Sequence, residues 1–251
     1  MIDLKQPIYR YIPYESFLEM LCLKRINASS PMGWPDKYEL YGLKQLESTE
    51  GVDELRNFIE SKNLKENTDI VARRTIDLVR ICFHRVYAIC FSEEGDSEPL
   101  WRAYSGQTQP IMFATTGEEL MKLTNKNGYQ DSFIERVQYD LLTDCTFKDY
   151  LASITVNDGS TMMFDPEQLF RHKRKNFEYE KEVRFLLNNP GPINVKVNDI
   201  RPIRLPIPDL SSFFKGVMTG PNAKAYQIET TEAICRKYGI RFLGPSTVYE
   251  M

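Results

Sequence analysis

The segment from Asn176 to Leu187 constrains the fold most, because a run of charged residues passes directly into residues that favour β-strands. Successive side chains of a strand point to opposite faces. If Glu180–Leu187 is extended, Glu180, Glu182 and Arg184 share one face, and the apolar side chains at 183, 185 and 187 share the other. The pattern predicts two carboxylates and a guanidinium on one surface, where they form either an ion pair or part of a binding site.

The length and charge of the chain bound the class of protein. With 251 residues, it can build one large domain or two small ones, and we predict a single domain over residues 1–251. The 32 Lys and Arg residues and 35 Asp and Glu residues give a net charge of −3. This balance excludes the strongly basic field of a general nucleic-acid coat protein, so any contact with nucleic acid must be local.

Cysteine usage and hydropathy predict a cytoplasmic protein. The five cysteines are scattered, odd in number and without a CxxC pair, which argues against a disulfide framework and against a zinc knuckle. The first residues lack the apolar core of a signal peptide. No apolar run approaches the roughly 18 residues that span a bilayer, so no membrane partner is predicted.

Hydrophobic periodicity predicts an alternation of short strands and helices without an internal repeat. The predicted strands are Ile8–Ile12, Ile26–Ser29, Val86–Phe91, Pro110–Ala114, Ile134–Leu141, Ile193–Val197, Pro202–Pro206, Phe214–Met218 and Ile240–Leu243. The predicted helices are Glu15–Arg25, Val52–Lys62, Thr68–His84, Pro99–Tyr104, Pro166–Lys175 and Asn222–Tyr238. The pattern indicates an α+β fold with a mixed or antiparallel central sheet and flanking helices.

Several common chemical motifs are absent from the sequence. It contains neither a P-loop nor the glycine-rich fingerprint of a Rossmann unit. His84 and His172 are the only histidines, and the zincin HExxH motif is missing. In a strand, Lys181 would point away from Glu180 and Glu182, which disfavours a metal-dependent nuclease. No metal site is predicted.

Several short motifs occur in an order that resembles a large family of bacterial domains of unknown function, the domain of unknown function 2971 family. These motifs are Tyr9-Arg10-Tyr11, Ser29-Ser30-Pro31 followed by Trp34 and Asp36, Cys90-Phe91-Ser92-Glu93, Leu100-Trp101-Arg102-Ala103-Tyr104 and Tyr179-Glu180-Lys181-Glu182-Val183-Arg184. The resemblance spans nearly the whole chain. It departs from the family at Trp34-Pro35-Asp36, where the order of acid and proline is reversed.

The order of residue types in turn resembles ADP-ribosyltransferases, which implies that NAD is the substrate and that no metal is needed. Breaking the nicotinamide glycosidic bond develops positive charge on the ribose, which a fixed carboxylate stabilises. The resemblance implies this role for Glu182 and an acceptor-facing role for Glu180.

The same resemblance implies a set of residues that bind NAD. Arg10 would hold the pyrophosphate by charge-assisted hydrogen bonds, with Tyr11 beside it. Ser92 would bond the ribose or the carboxamide. Trp101 or Tyr104 would stack on the nicotinamide ring.

Structural alternatives remain open for several of these residues. Glu182 and Arg184 are also explained by a simple ion pair at a sheet edge, which is worth about 0–1 kcal/mol if exposed. Trp101 and Tyr104 are spaced three apart, which is also ordinary core spacing on a helix. The basic run Lys173-Arg174-Lys175 is either a solvated helix end or, together with Arg184, a surface that binds substrate phosphates or nucleic acid.

The resemblance favours a bacterial or phage-associated ADP-ribosyltransferase-like enzyme, acting in a toxin-antitoxin or phage-defence system. The expected partners are NAD, a nucleic-acid or protein acceptor, and an antitoxin or other regulatory protein. The alternative is a non-catalytic module of the same fold that binds a nucleotide or nucleic acid. The two differ in whether Glu182 faces an open cleft with Arg10.

Overall fold

The structure is a computed structural model that describes residues 2–34, 45–62, 66–106, 109–125, 129, 132–141, 151, 155–157, 162–164, 170–189 and 201–249. Its strands are β1 Pro7–Pro13, β2 Arg25–Ala28, β3 Val86–Ser92, β4 Pro110–Thr116, β5 Phe133–Arg136, β6 Gln138–Leu141, β7 Thr155–Asn157, β8 Met162–Phe164, β9 His172–Arg174, β10 Glu182–Asn188, β11 Ile203–Pro206, β12 Gly216–Thr219 and β13 Phe242–Pro245. Its α-helices are α1 Tyr14–Leu23, α2 Thr49–Ser61, α3 Thr68–Arg85, α4 Glu98–Tyr104, α5 Gly117–Asn125, α6 Leu210–Phe213 and α7 Ala225–Lys237.

A seven-stranded sheet forms the centre of the fold, in the order β13-β12-β4-β1-β3-β10-β5. Its neighbours are antiparallel except for the parallel pair β12 and β13. Three two-stranded sheets accompany it: β11 with β2, β6 with β9, and β7 with β8. The prediction of an α+β fold with a mostly antiparallel central sheet and flanking helices is confirmed.

The central sheet buries apolar side chains on both faces. The alternation predicted for β10 is confirmed, because Val183, Phe185 and Leu187 join one core cluster and Leu186 joins another. Helix α1 packs into the first cluster, and α2 and α3 pack into the second. Such burial on both faces explains why β3 and β10 read as nearly continuous apolar runs.

The prediction that Glu180 begins the strand is wrong. Residues Lys175–Glu180 form a 3₁₀ helix, and Lys181 adopts the left-handed conformation with φ 41°. This conformation is uncommon for a residue other than glycine, and it reverses the chain just before β10. Strand β10 therefore begins at Glu182, and Glu180 approaches from the preceding turn.

The region around the basic run also differs from the prediction. A helix was predicted over Pro166–Lys175, but His172–Arg174 form strand β9, which pairs in parallel with β6. The single strand predicted over Ile134–Leu141 is two strands, β5 and β6, separated at Val137. Helix α5 was not predicted. The predicted strand Ile193–Val197 and the loop residue Asp36 lie outside the described residues.

Candidate active site

Ser92 and Glu182 lie directly opposite each other on β3 and β10, and Tyr9 of β1 lies opposite Ser92 on its other side. Side chains at directly opposed positions of antiparallel strands point to the same face. Further along β3, Ala88 is bridged to Ser29 rather than to β1. The row of Tyr9, Ser92 and Glu182 therefore crosses three neighbouring strands where β1 and β3 meet.

Two cations hold the Glu182 carboxylate in the protein interior. Arg184 Nε donates to Oε1 at 2.8 Å and its Nη2 donates to Oε2 at 3.2 Å. Lys173 Nζ lies 2.9 Å from Oε2. Glu182 is only 5% exposed. The ion pair between Glu182 and Arg184 that the structural alternative predicts is present, but it is buried on an inner strand and belongs to a larger cluster.

The backbone of Glu182 is fixed as firmly as its side chain. Its N–H donates to the hydroxyl of Tyr139 at 2.6 Å, and its carbonyl accepts from the N–H of Val137 at 2.9 Å. Tyr139 lies in β6, and Val137 is the residue between β5 and β6. The irregularity at Val137 thus positions the first residue of β10.

The pKa of Glu182 reflects a balance between burial and charge. Burial raises the pKa of this carboxyl, but the charges of Arg184 and Lys173 outweigh burial and hold the pKa at about 2. Glu182 is therefore a carboxylate at neutral pH. A carboxylate fixed in this manner is suited to stabilise positive charge that develops beside it.

Arg184 is a support for Glu182 and not an accessible contact for substrate, which corrects its predicted role. The residue is 1% exposed. Its Nη1 donates to the carbonyl of Phe170 at 2.9 Å, and its guanidinium carbon lies 4.5 Å from the ring centroid of Trp34. The three guanidinium nitrogens and one face of the group are thus engaged within the protein.

The basic run is not a solvated helix end, and its three residues differ in environment. Lys173 is buried, and its Nζ lies 2.6 Å from Glu180 Oε2 as well as 2.9 Å from Glu182. Arg174 is half-buried and lies 5.1 Å from the ring centroid of Phe177. Lys175 is exposed. Among the three, Lys175 remains a candidate for contact with nucleic acid.

Glu180 is the more accessible of the two acids. Its side chain is 20% exposed, against 5% for Glu182, and both acids share Lys173. The 3₁₀ helix that carries Glu180 packs against α4. Glu180 therefore lies between the buried carboxylate and the helix that carries Tyr104.

Arg10 brings a further positive charge to this region. Its guanidinium carbon lies 5.8 Å from the ring centroid of Phe91, and burial lowers its pKa. Its Nη1 is buried, and no described residue accepts a hydrogen bond from it. Cys90 and Tyr104 act in the opposite direction and raise the pKa of Arg10. Arg10 thus has a buried donor without an acceptor among the described residues, in a region that also contains Phe91, Cys90 and Tyr104.

Cys90 lies beside Glu182, and its place in the site was not predicted from the sequence. Burial raises the pKa of the Cys90 thiol well above its ordinary value, and the charge of Glu182 adds to this effect. The thiol therefore stays protonated and bonds the carboxylate of Glu182. The signal in the sequence was alternation, because Cys90 lies two residues before Ser92 on β3 and shares its face.

The predicted aromatic residues separate into two buried rings and one exposed ring. Trp101 is 1% exposed and its Nε1 donates to Asp96 Oδ1 at 2.8 Å, so Trp101 packs in the core and Tyr104 is the better placed of the two rings predicted to stack on nicotinamide. Tyr11 is 3% exposed, and its hydroxyl accepts from the N–H of Ser97 at 2.9 Å. In this structure Tyr11 packs against Trp101 and Tyr104.

Tyr104 is 46% exposed and stacks on Tyr11 with ring centroids 5.9 Å apart. Burial raises the pKa of its hydroxyl to about 12, and Cys90, Glu180 and Glu182 add to this effect while Arg10 opposes it. The charges of Arg10 and of both acids thus act on this hydroxyl. Tyr104 is therefore the ring of the Leu100–Tyr104 motif that a ligand can reach.

Ser92 has a partner within its own loop. Its side-chain oxygen accepts from the N–H of Glu94 at 2.9 Å, and the residue is 4% exposed. Gly95, three residues after Ser92, packs closely on the ring of Tyr9. A Cβ atom on Gly95 would lie 2.9 Å from two ring atoms of Tyr9. This contact fixes the loop that follows β3.

Comparison with known proteins gives one family match and several distant structural likenesses. Residues 100–185, about a third of the chain, match the family model described as a protein of unknown function (DUF2971). This segment contains the Trp101–Tyr104 and Tyr179–Arg184 motifs, and the predicted resemblance to this family is confirmed there. No curated protein matches the sequence.

The solved structures that are similar to this chain include Thermus sp. 2.9 DarT in complex with NAD+, at 9% identity, with 98% of this chain and 97% of that chain covered and a TM-score of 0.39. Thermus sp. 2.9 DarT in complex with ADP-ribosylated ssDNA is 11% identical. The match covers 94% of this chain and 92% of that chain, with a TM-score of 0.37. The same protein in complex with carba-NAD+ is 9% identical, with coverage of 97% and 96% and a TM-score of 0.37.

The described residues contain neither a membrane-spanning helix nor a cluster of metal ligands. None of the helices within the described ranges combines the length and the apolar character needed to cross a membrane. Over the same ranges, no group of three or more His, Cys, Asp or Glu side chains is placed to hold a metal ion.

Proposed function

We propose that this protein is an ADP-ribosyltransferase-like enzyme that binds NAD between Arg10, Ser92, Tyr104 and the Glu180–Glu182 pair. The observation that carries the proposal is the buried Nη1 of Arg10, for which the described residues provide no acceptor. An arginine side chain keeps its charge in proteins and has five donors to satisfy. A buried cation without a partner is costly, so a bound anion would stabilise it.

The charges around the two acids support an anionic ligand at Arg10. Glu180 and Glu182 are matched by Lys173 and Arg184, which lie within ion-pair distance of them. Arg10 adds a positive charge that none of the described acids pairs with. A diphosphate fits this requirement, because phosphate oxygens accept short, charge-assisted hydrogen bonds from guanidinium groups.

The acids supply the chemistry in this proposal. When the bond between nicotinamide and ribose breaks, positive charge develops on the ribose, and the fixed carboxylate of Glu182 lowers the free energy of that state. Its two cations hold it in place before the reaction. Glu180, which is more exposed, would orient or deprotonate the acceptor.

The acceptor and the biological setting are further parts of the proposal. A nucleic-acid acceptor would approach over the exposed Lys175, and a protein acceptor would approach over the same open side near Glu180. The enzyme would act in the bacterial cytoplasm as a toxin or phage-defence effector under the control of an antitoxin. The whole chain would form one domain.

One observation favours a second candidate, a non-catalytic module that binds a nucleotide. Both oxygens of Glu182 are held by cations and the residue is 5% exposed, so the carboxylate must lose a partner before it can touch a ribose hydroxyl. In this alternative, Glu182 is a structural anchor. Arg10 still binds the anionic ligand.

Calorimetric titration with NAD tests the binding site that both candidates share. Arg10→Gln should weaken NAD binding by about tenfold or more, because a hydrogen bond to a charged group is lost. The matched control is Arg236→Gln, whose exposed arginine pairs only with Glu232 among the described residues and should leave the affinity unchanged. Equal affinity of the wild type and Arg10→Gln would end the proposal.

An assay of nicotinamide release from NAD distinguishes the catalytic proposal from the non-catalytic one. If the protein is an enzyme, the wild type should release nicotinamide. Glu182→Gln should lower the rate of release by about a hundredfold or more, since a charge that faces the transition state is removed. NAD binding without release, in the presence of nucleic-acid and protein acceptors, would favour the module.

A further inference from the structure

We propose that Asp96 is a positioning residue that holds Tyr104 at the edge of the site by tying α4 to the segment Ser246–Tyr249. The inference rests on the proposed function only in naming NAD as the ligand beside Tyr104. The contacts that carry it lie outside the cluster of acids and cations, in the loop between β3 and α4.

Asp96 joins three parts of the chain through its carboxylate. Oδ1 accepts from Trp101 Nε1 at 2.8 Å and also from the hydroxyl of Ser246. Oδ2 accepts from the N–H of Thr247 at 3.4 Å. Asp96 has a φ of 32°, in the left-handed region that residues other than glycine rarely adopt. Such a conformation persists where surrounding contacts determine it, as these three do.

From Asp96, a continuous series of ring contacts leads to the site. The ring of Trp101 meets Tyr11 edge to face, with centroids 4.8 Å apart and planes at 83°. Tyr11 in turn stacks on Tyr104, with centroids 5.9 Å apart and planes at 26°. The hydroxyl of Tyr11 is bonded to the N–H of Ser97, next to Asp96. A shift of Asp96 therefore reaches Tyr104 through both the indole ring and the backbone.

The Ser246–Tyr249 segment contacts α4 at two places. Ser246 is 4% exposed, and its N–H donates to the carbonyl of Thr219 in β12, so the segment is anchored on the central sheet. Val248 packs on the cluster that contains Tyr11 and Trp101. The side chain of Tyr249 bonds Arg102 of α4. Asp96 thus fixes the start of the helix to a segment that already rests on the sheet.

The position of Tyr104 makes this support relevant to ligand binding. Trp101 and Tyr11 are buried, whereas Tyr104 is 46% exposed, so it alone of these three rings can touch a ligand. Its ring orientation is set by Tyr11 beneath it. Asp96 would therefore change the affinity for NAD through Tyr104, and would have little effect on the step that breaks the glycosidic bond.

A double-mutant cycle tests this dependence directly. Asp96→Ala should weaken NAD binding by about fivefold in the wild-type protein. In a protein that already carries Tyr104→Ala, the same substitution should not weaken NAD binding further, because the effects of two substitutions that act through one contact do not add. Asp96→Asn keeps an acceptor at Oδ1 and suits the left-handed φ, so it should recover most of the affinity. Additive effects of Asp96→Ala and Tyr104→Ala would overturn the proposal.

The matched control is Asp209→Ala. Asp209 accepts backbone N–H bonds from Ser211 and Ser212 at the start of α6, and none of its hydrogen bonds within the described residues involves the residues around Tyr104 that carry the inference. Its loss should lower the melting temperature and leave the affinity for NAD within about twofold of wild type, as expected for distant sites. An equal loss of affinity in Asp209→Ala and Asp96→Ala would show that Asp96 acts through stability alone.

Hydrogen exchange gives a readout that does not depend on NAD. Asp96→Ala should speed amide exchange both in Glu98–Tyr104 and in Ser246–Tyr249, whereas Asp209→Ala should change neither. If the wild type binds no NAD, the proposed function fails, and the exchange data alone decide the role of Asp96. Unchanged exchange in these two segments would then overturn it.

Discussion

Lys173 and Glu182 form a buried ion pair, with Nζ 2.9 Å from Oε2. The pair joins β9 to the first residue of β10, and Arg184 supports the same carboxylate from the neighbouring position on the strand. Removal of one member of a buried cluster leaves the others with uncompensated charge. The acids of the site therefore contribute to stability as well as to the proposed chemistry.

Lys173→Met should lower the free energy of unfolding by about 3–5 kcal/mol, because it removes a buried cation that lies within ion-pair distance of both Glu180 and Glu182. Urea denaturation measures the change. The matched control is Arg236→Met, which removes an exposed arginine from the i,i+4 pair with Glu232 and should cost less than about 0.5 kcal/mol. Similar midpoints for both variants would contradict the buried cluster.

The depressed pKa of Glu182 predicts how stability depends on pH. Its pKa is about 2 in the folded protein and near its ordinary value of 4.5 in the unfolded chain, so its contribution is fully present above pH 4.5 and is lost as pH falls through 2. This contribution is on the order of 3 kcal/mol. Denaturant unfolding at several pH values measures it.

Glu182→Gln provides the comparison for this pH dependence. At neutral pH the variant should be less stable than wild type, since an amide cannot balance two buried cations. The difference should narrow as the pH falls from 4.5 to 2, because the wild-type carboxylate then becomes protonated. A difference that stays constant over this range would show that Glu182 has an ordinary pKa.

The strands of the central sheet could be predicted from sequence because apolar side chains alternate or run continuously along them. Glu182 and Ser92 were found in this manner, as strand-end residues of β10 and β3. Their opposition could not be predicted, because register between β3 and β10 depends on contacts between distant parts of the chain. The same holds for Arg10 and Cys90, which are close in space and 80 positions apart in the sequence.

The local sequence pattern predicted the wrong conformation where contacts between distant parts of the chain determine the structure. Lys173 reads as part of a basic helix end, but two carboxylates from the following turn and strand draw it into the interior. Glu180 reads as a strand residue, but the left-handed conformation of Lys181 places it on a 3₁₀ helix. Neither conformation has a signal in the residue types, because lysine favours neither burial nor a positive φ.

The environments of the basic residues predict which of them can contact a nucleic-acid acceptor. Lys175→Gln should reduce the slope of log affinity against log salt by roughly 0.7 for single-stranded DNA or RNA, because one phosphate contact is lost. Filter binding at several salt concentrations measures the slope. Exposed Lys237, on the distant helix α7, provides the control Lys237→Gln. Equal slopes for wild type and Lys175→Gln would point to a protein acceptor.

A crystal structure of the protein with NAD tests the central claim most directly. The account predicts that a phosphate oxygen of NAD accepts a hydrogen bond from Arg10 Nη1 at about 2.7–2.9 Å, and that the nicotinamide ribose lies between Tyr104 and the Glu180–Glu182 pair. NAD bound elsewhere on the protein, with no ligand atom in contact with Arg10, would contradict it.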